Sequence, residues 1–325
     1  MIQLIINNEI EKIAEDYKKE FLNKCEADIR KNLNSLIVKL DTTDAEYAIK
    51  KDYIEAILSK LEAIIILKPN EMKREFLNFN LPINDTNFYK GIVDALLYKE
   101  VRKEYFIKSL KNLEINCCVY CHTQGTYVVN EYYKRNHKPH KKGDLKAQKA
   151  FFELDHYYPK SKYPFLCVSF YNLIPICSSC NKAKKDKTID FDFYIESKSL
   201  IQDFKFNLSK GSVAKYIATK NKNDITVEIS HPNKKILKNF DERFSLNLKY
   251  NEYKDIVEEL IYKEIKFNQI YLDSISNILN NTSLNKNIVK RIIYGNYSEK
   301  DESLKRPLAK FYQDISEDIK SLKLK

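Results

Sequence analysis

The sequence predicts an α+β protein, in which a mainly helical chain carries one strand-containing module and a small antiparallel β meander. Apolar residues recur at helical spacing at both ends of the chain. Between 115 and 190 the pattern changes to paired cysteines, aromatic residues and short apolar runs, and apolar–polar alternation follows. Since 43% of the 325 residues are apolar, the chain can form cores, and global disorder is excluded.

The N-terminal region is predicted to consist of helices. Residues 9–40 place apolar side chains three and four positions apart, which indicates a long amphipathic helix. A second helix is expected behind Thr43 or Asp44, either of which can cap it, and should run towards Leu67. A third helix is predicted over 92–110, and the presence of only five glycines in the whole chain suits this helical content.

Strand and helix signals follow the central segment. Alternation of apolar and polar residues at 203–208, 214–218 and 225–229 predicts three strands of an antiparallel meander. Helical spacing returns at 253–279 and 305–322. The predicted regions are therefore 1–112 (helical), 113–190 (the cysteine-containing module), 191–242 (a β-rich extension) and 243–325 (helical).

Two pairs of cysteines with CxxC spacing predict one metal site. Four thiolates in two close pairs suit tetrahedral zinc, and the ion should be structural, because four cysteine ligands leave no position open for water or substrate. The expected ligands are Cys118, Cys121, Cys177 and Cys180. Cys117 adjoins the first pair but lacks its spacing, and Cys25 and Cys167 lie among apolar residues and are expected in the core.

The charge balance and the absence of recognisable targeting signals limit the partners and the cellular location that the sequence predicts. A formal charge of +11 and a pI of 9.0 favour polyanionic partners, of which nucleic acid is the simplest and an acidic membrane surface the weaker alternative. A lysine-rich composition can also reflect solvated faces. Because no run of ~18 apolar residues and no signal peptide is recognisable, we expect a cytoplasmic protein with reduced thiols and no membrane association.

Between the cysteine pairs, a carboxylate and an imidazole stand together at a predicted strand end. The local order is strand, turn, strand and helix, with Asp155 and His156 ending the first strand and Asn181 opening the helix. A helix packed across that hairpin would bring Asn181 to Asp155, and two hard oxygen ligands suit Mg²⁺. His156 would then serve as general base, which predicts a one-metal phosphodiesterase centre. Taken alone, Asp155 and His156 are better explained as a strand-end pair satisfied by backbone hydrogen bonds.

The segments 154-LDHYYPKSKYP-164 and 172-NLIPICSSCN-181, with the upstream CxxC, resemble the zinc-knuckled HNH endonucleases of the ββα-metal superfamily. The motif residues are His156, Asn172 and Asn181. The resemblance implies an endonuclease acting on nucleic acid, DNA in first place, with His156 as general base and Asp155 and Asn181 holding catalytic Mg²⁺ or Mn²⁺. It also implies that Asn172 fixes the hairpin loop through backbone hydrogen bonds. Many members carry His where this chain has Asn181, which leaves the choice of metal open.

A narrower resemblance concerns 159-PKSKYPF-165, 169-SFYNLIP-175 and the tail 294–311, which are similar to bacterial HNH proteins. Some relatives with these motifs are nuclease subunits of Septu-type anti-phage defence systems. The resemblance therefore implies a defence effector that works with an ATPase or sensor subunit.

Lysines around the motif are expected to contact the nucleic acid. They are Lys160 and Lys162 beside the turn and Lys182, Lys184, Lys185 and Lys187 on the helix. The segment 134–149 carries seven Lys/Arg against one acid and predicts a basic hairpin loop, which could follow a phosphate backbone or simply be solvated. Its His137 and His140 are expected to be solvated or to face phosphate.

Two other functions remain open from the sequence. The same module could be a zinc-stabilised nucleic-acid-binding domain without catalysis, which predicts salt-sensitive binding and no cleavage. Alternatively the long flanking helices could make the chain an assembly subunit of a multi-protein defence complex, which predicts a stable complex and little activity alone.

Overall fold

The computed structural model describes residues 1–79, 83, 85–267, 271, 274 and 286–322. In this part of the chain helices dominate and the strands form two-stranded sheets. The helices are α1 Asn8–Lys39, α2 Tyr47–Ile65, α3 Pro69–Phe79, α4 Thr86–Ala95, α5 Tyr98–Glu100, α6 Phe106–Asn112, α7 Ser178–Lys184, α8 Lys210–Thr219, α9 Lys234–Phe244, α10 Leu246–Asn251, α11 Lys254–Lys266, α12 Lys286–Tyr294 and α13 Ala309–Ser321. The strands are β1 Leu4–Ile5, β2 Tyr127–Tyr132, β3 Leu145–Phe151, β4 Glu153–His156, β5 Leu173–Ile176, β6 Tyr194–Ile195, β7 Lys205–Leu208 and β8 Val227–Ser230.

The chain divides into two units, each built from segments that are distant in sequence. The N-terminal unit comprises residues 3–115 and 126–201, and the C-terminal unit comprises 1–2, 116–125 and 202–325. The N-terminal unit contains α1 to α7 and β1 to β6, and the C-terminal unit contains the remaining helices and strands.

Helix α1 packs in the core of the N-terminal unit, because one face of it is apolar along most of its length. The buried residues are Ile10, Ile13, Ala14, Tyr17, Phe21, Cys25, Ile29 and Leu33, at the three- and four-residue spacing that predicted the helix. Asn7 caps the first turn by accepting a hydrogen bond from the Ile10 amide at 2.9 Å. The rings of Tyr17, Phe106 and Phe170 pack against one another in this core. The long helix predicted over 9–40 is thus confirmed.

The next helices differ from their predicted form. Neither Thr43 nor Asp44 caps α2; Asp44 instead accepts a hydrogen bond from the Glu46 amide and pairs with Lys50. Pro69, just beyond the segment predicted for the second helix, is the first residue of α3, since proline fits the first turn of a helix. The single helix expected over 92–110 is interrupted, because Leu97 adopts a left-handed backbone (φ 55°) between α4 and α5 and a π-helical turn follows at Val101–Tyr105.

The order strand, turn, strand and helix predicted within the cysteine-containing module is present in the N-terminal unit. Strands β4 and β5 pair antiparallel, with Asp155 opposite Ile174 and His156 opposite Leu173. Helix α7 follows β5 directly, with Cys177 at its N-cap position. Strands β2 and β3 form a second antiparallel hairpin immediately before β4.

In the C-terminal unit, the predicted meander has two strands rather than three. Strands β7 and β8 pair antiparallel, but the predicted strand at 214–218 is wrong because it lies in α8. Val213 and Tyr216 are the buried residues of α8 and lie three positions apart, so helical burial outweighed the local alternation. Helix α11 ends at Lys266, and most of the remainder of the helix predicted to 279 falls outside the described residues.

The last helix, α13, lies within the predicted range 305–322 and holds β7 in place. Asp314 accepts a hydrogen bond from the Phe206 amide at 3.0 Å, and Asp318 accepts one from the Leu208 amide at 2.8 Å. The ring of Phe206 packs against Phe311. Among the residues that the structure describes, no helix combines the length and the apolar character that crossing a membrane requires.

Candidate functional site

The candidate site is built where β4 faces α7. Successive side chains of a strand alternate between its two faces, so Glu153 and Asp155 share one face of β4. On α7, Asn181 and Lys184 are three residues apart and therefore share one face of the helix. These two faces meet: the Asn181 amide nitrogen donates to the Glu153 carboxylate, and the Lys184 ammonium donates to Asp155 Oδ1 at 2.9 Å.

Asp155 and Lys184 form a buried ion pair. Their side chains are only 6% and 1% exposed, and the Lys184 ammonium also donates to the His156 carbonyl oxygen at 2.9 Å. The expectation that Lys184 contacts nucleic acid is therefore wrong for this structure, because its charge is neutralised inside the protein. The prediction assumed that every lysine on α7 is exposed, whereas Lys184 shares the face of Asn181 that packs on β4.

His156 points away from the carboxylates, as strand alternation requires. Its Nε2 lies 3.1 Å from the Cys167 carbonyl oxygen, which can only accept, so Nε2 carries the hydrogen and Nδ1 is the basic nitrogen. The imidazole packs on the Tyr98 ring with centroids 4.8 Å apart and is only 4% exposed. Desolvation by burial, helped by the nearby charge of Lys160, lowers the pKa of His156 to about 3. The imidazole is consequently neutral near pH 7.

Asn172 joins the loop after β4 to the start of β5. Its Oδ1 accepts from the Tyr158 amide at 2.8 Å, while its Nδ2 donates to the Tyr158 and Leu166 carbonyl oxygens at 3.2 and 3.0 Å. The residue is fully buried. These are backbone hydrogen bonds of the kind that the resemblance led us to expect of this residue.

Glu153 was not recognised in the sequence, although it lies beside the site. Hydrogen bonds from Asn181 and Ser178 hold the pKa of this carboxylate below its usual range, and the charges of Arg102 and Lys182 act in the same direction. The available signal was its position two residues before Asp155, which places both carboxylates on one face of the strand. Arg102 was missed as well, because it lies on the π-helical turn far upstream in the sequence.

The remaining predicted lysines are on the surface. Lys160 is exposed as a residue, but its ammonium lies 4.9 Å from the centre of the Tyr98 ring, and desolvation there lowers its pKa. Lys162, Lys182, Lys185 and Lys187 are exposed. Of these lysines, Lys182 acts electrostatically on Glu153 and Lys160 on His156.

The four cysteines of the two CxxC pairs come together. The sulfurs of Cys118, Cys121, Cys177 and Cys180 all lie within 4.8 Å of one another, and the four residues are buried. Tetrahedral zinc with Zn–S bonds of ~2.3 Å requires sulfurs ~3.8 Å apart, so four thiolates at this spacing could hold a zinc ion.

The surroundings of the first pair are consistent with a fixed turn. The Cys118 amide donates to the Gln124 carbonyl oxygen at 2.8 Å, and the Thr123 hydroxyl donates to Cys121 Sγ at 3.2 Å. Burial raises the pKa of the Cys117 thiol well above its ordinary value, and Cys117 is not among the four residues whose sulfurs converge. Cys25 and Cys167 are buried, as predicted.

Chemically, the β4–α7 contact brings together two carboxylates, an amide and a buried ammonium, while the neutral imidazole of His156 lies on the opposite face of β4. Asp155 and His156 lie on β4, Asn172 directly precedes β5 and Asn181 lies on α7, although Asp155 contacts Lys184 and Asn181 contacts Glu153. In comparisons with known proteins, no family model, no curated protein and no solved structure matches this chain.

Proposed function

We propose that this protein is a metal-dependent endonuclease of the HNH type, which hydrolyses phosphodiester bonds of nucleic acid. DNA is the favoured substrate. The observation that carries the proposal is the contact of β4 with α7, in which Glu153 and Asp155 face Asn181 and Lys184 while His156 adjoins Asp155. The antiparallel pair β4–β5 followed by α7 supports the ββα architecture that the resemblance implies.

The donor set fits a hard divalent ion. Asp155 and Asn181 would hold Mg²⁺ or Mn²⁺, and the Glu153 carboxylate adds a third oxygen donor next to Asn181. An ion there would supply Lewis-acid stabilisation of the charge that develops on the scissile phosphate and its leaving oxygen. Because Lys184 already donates to Asp155 Oδ1, its ammonium and the ion compete for the same carboxylate.

His156 would act as general base. The hydrogen bond from Nε2 to the Cys167 carbonyl fixes the ring, so Nδ1 is the nitrogen that accepts a proton from the attacking water. The imidazole is neutral near pH 7, which is the protonation state that a base needs, although a pKa of about 3 makes it a weak base in this environment. Arg102, Lys160 and Lys182 would hold the phosphate, which suits their charge and their position near Glu153 and His156.

We further propose that the four-cysteine cluster binds one structural zinc ion. The cluster supplies four buried sulfurs and no fifth donor is needed, so the ion would stabilise the fold and take no part in hydrolysis.

A second candidate function is favoured by a specific observation: His156 is almost inaccessible and Asp155 is already paired with a lysine. These contacts also fit a zinc-stabilised nucleic-acid-binding or assembly subunit without catalysis, acting with an ATPase or sensor in an anti-phage defence complex. This alternative predicts binding without cleavage under every metal condition.

Cleavage of supercoiled plasmid and of single-stranded RNA, with Mg²⁺ or Mn²⁺, separates the two functions. Wild type and His156→Ala are compared after circular dichroism and zinc content have shown that both are folded. Metal-dependent cutting that disappears in the variant supports the nuclease and identifies the substrate class. Equal inactivity of both proteins, each holding one zinc, rules out autonomous catalysis and leaves the binding or assembly role.

A further inference from the structure

The hairpin of β2 and β3 presents an exposed aromatic face. Tyr127 lies directly opposite Phe151 in the register, and one step along the same face Val129 lies opposite Lys149. Tyr127 and Phe151 are 45% and 63% exposed, although they are adjacent aromatic residues on a regular strand pair. A two-stranded hairpin is marginally stable in water, and exposed apolar patches on folded proteins commonly mark binding surfaces.

The far end of the same hairpin is strongly basic. We call the five cationic residues of the connecting loop the tip cations: Lys134, Arg135, Lys138, Lys141 and Lys142. All are exposed, and within the described part of the chain none of them takes part in an ion pair. In contrast, Lys146 and Lys149, on the strand, both pair with Glu131 at 2.6 and 2.5 Å. The tip therefore carries a net positive charge, since its five cations outnumber its one carboxylate, Asp144.

The tip is ordered by its own contacts. The Tyr133 ring stacks on His140 with centroids 4.6 Å apart and an interplanar angle of 13°, and the backbones of His137 and His140 are bridged by hydrogen bonds. Asp144 accepts from the Lys141 amide at 2.6 Å, and Asn136 accepts from the Lys142 amide at 2.8 Å. These contacts reduce the conformational entropy that the tip loses on binding.

The hairpin is joined directly to the candidate site. Strand β3 ends at Phe151 and β4 begins at Glu153, so a single residue separates them. Phe151 and His156 are five residues apart, which limits their Cα–Cα distance to ~18 Å. A distance of ~18 Å corresponds to about five nucleotides, because successive nucleotides of a stacked DNA strand are ~3.4 Å apart along the axis. A strand held by the hairpin can thus reach His156 within a few nucleotides.

We propose that the β2–β3 hairpin binds single-stranded nucleic acid, with Tyr127 and Phe151 stacking on unpaired bases and the tip cations contacting phosphates. A polyanion with exposed bases complements both features, whereas the bases of an intact duplex are already stacked and cannot cover the aromatic pair. A single strand would then be the form of nucleic acid that the protein cleaves. The cleavage step rests on the proposed function, whereas binding to the hairpin does not.

The test measures binding rather than cleavage, without added divalent ions, so that failure of catalysis and failure of this proposal are distinguishable. Fluorescence anisotropy is recorded with a labelled 20-nucleotide single strand, as DNA and as RNA, and with the matching duplex, between 50 and 250 mM salt. Wild type should prefer single strands. Phe151→Leu, which keeps an apolar side chain but removes the ring, should weaken single-strand binding roughly five- to 150-fold. Phe151→Tyr should restore it.

A second pair of variants tests the phosphate contacts. Lys141→Ala with Lys142→Ala should lower the slope of log affinity against log salt by about 1.4, at ~0.7 per contact with a single strand. The matched control is Lys234→Ala with Lys235→Ala, another pair of adjacent exposed lysines without an ion pair among the described residues, and its slope should equal that of wild type.

Three results would overturn the proposal. One is duplex binding at least as tight as single-strand binding, with Phe151→Leu equal to wild type. Another is an equal change in salt slope for the tip and control variants. The third is a change in oligomeric state on size-exclusion chromatography of Phe151→Leu without loss of nucleic-acid binding, which would make the aromatic face a protein interface.

Discussion

Replacing Lys184 by methionine should destabilise the protein strongly, because this change removes the ammonium that pairs with the buried Asp155 carboxylate. The methionine keeps the apolar stem of the side chain and removes only the ammonium. That ammonium donates two hydrogen bonds of 2.9 Å, one to Asp155 Oδ1 and one to the His156 carbonyl oxygen. A buried acceptor left unsatisfied costs ~1–3 kcal/mol, and breaking a buried ion pair by removing one partner costs ~3–5 kcal/mol. We therefore expect a loss of ~3–5 kcal/mol in the free energy of unfolding.

The assay is urea unfolding followed by far-UV circular dichroism, arranged as a double-mutant cycle. Asp155→Leu should also be destabilising, since it leaves the Lys184 ammonium unpaired. The double variant Asp155→Leu with Lys184→Met should recover much of the stability, because well-packed apolar residues can replace a buried pair at little cost. The expected coupling energy is at least ~2 kcal/mol. Lys182→Met, an exposed lysine of the same helix, is the matched control and should change stability by less than ~0.5 kcal/mol.

The reasoning is refuted if Lys184→Met costs less than ~1 kcal/mol, or if the two single changes simply add in the double variant. Either result would mean that water or another group solvates Asp155 in the folded protein. The ion pair would then be a surface contact, for which contributions of ~0–1 kcal/mol are normal.

Three further predictions concern the metal cluster, the histidine and the end of α7. Cys118→Ser should abolish zinc binding and lower the melting temperature, while Cys117→Ser should keep one zinc per chain by native mass spectrometry; equal zinc loss in both would contradict the ligand assignment. Because the pKa of His156 is lowered to about 3, its contribution to stability is complete above the unfolded pKa of ~6.5 and is lost as pH falls towards 3, at up to ~1.4 kcal/mol per pH unit. His156→Gln should flatten that part of the stability–pH curve, and an unchanged slope would place the imidazole in solvent. Lys185 ends α7 with φ 56° and ψ −135°, a conformation that favours glycine, so Lys185→Gly should raise stability by up to ~1 kcal/mol relative to Lys185→Ala in thermal unfolding, and equal melting temperatures would contradict it.

The sequence was most informative where one physical pattern governs a long segment. In α1 the apolar residues from Ile10 to Leu33 follow helical spacing without interruption, so the helix could be predicted almost to the residue. The two CxxC pairs were equally informative, because metal chemistry restricts both the residue type and its spacing. Where the same residues fit both a strand pattern and a helix pattern, the predicted secondary structure was wrong. Residues 214–218 alternate like a strand, yet Val213 and Tyr216 bury one face of a helix.

The candidate site shows a different limit of sequence reasoning. Spacing along β4 and α7 could have indicated which residues share a face, and Glu153 was recoverable in that way. The sequence could not predict which α7 side chain pairs with which β4 carboxylate. A helix with both Asn181 and Lys184 on one face can present either of them to Asp155. The structure places the lysine there, and this choice depends on the translation of α7 along β4, which is set by packing of the whole unit.

The position of Lys184 leads to a last prediction about the proposed metal. An ammonium that already neutralises Asp155 makes divalent binding more costly, because the ion must displace it or share the carboxylate. Lys184→Met removes this competitor for the Asp155 carboxylate, so Mn²⁺ should stabilise the variant more than wild type. At a concentration ~100 times the dissociation constant the gain is ~2.7 kcal/mol, readily seen as a rise in melting temperature on titration with MnCl₂. The double variant Asp155→Leu with Lys184→Met keeps the apolar substitution and lacks the carboxylate, and its melting temperature should not respond. If wild type and Lys184→Met respond equally to Mn²⁺, the ion binds elsewhere, and Asp155 serves the fold through its bond to Lys184 rather than catalysis.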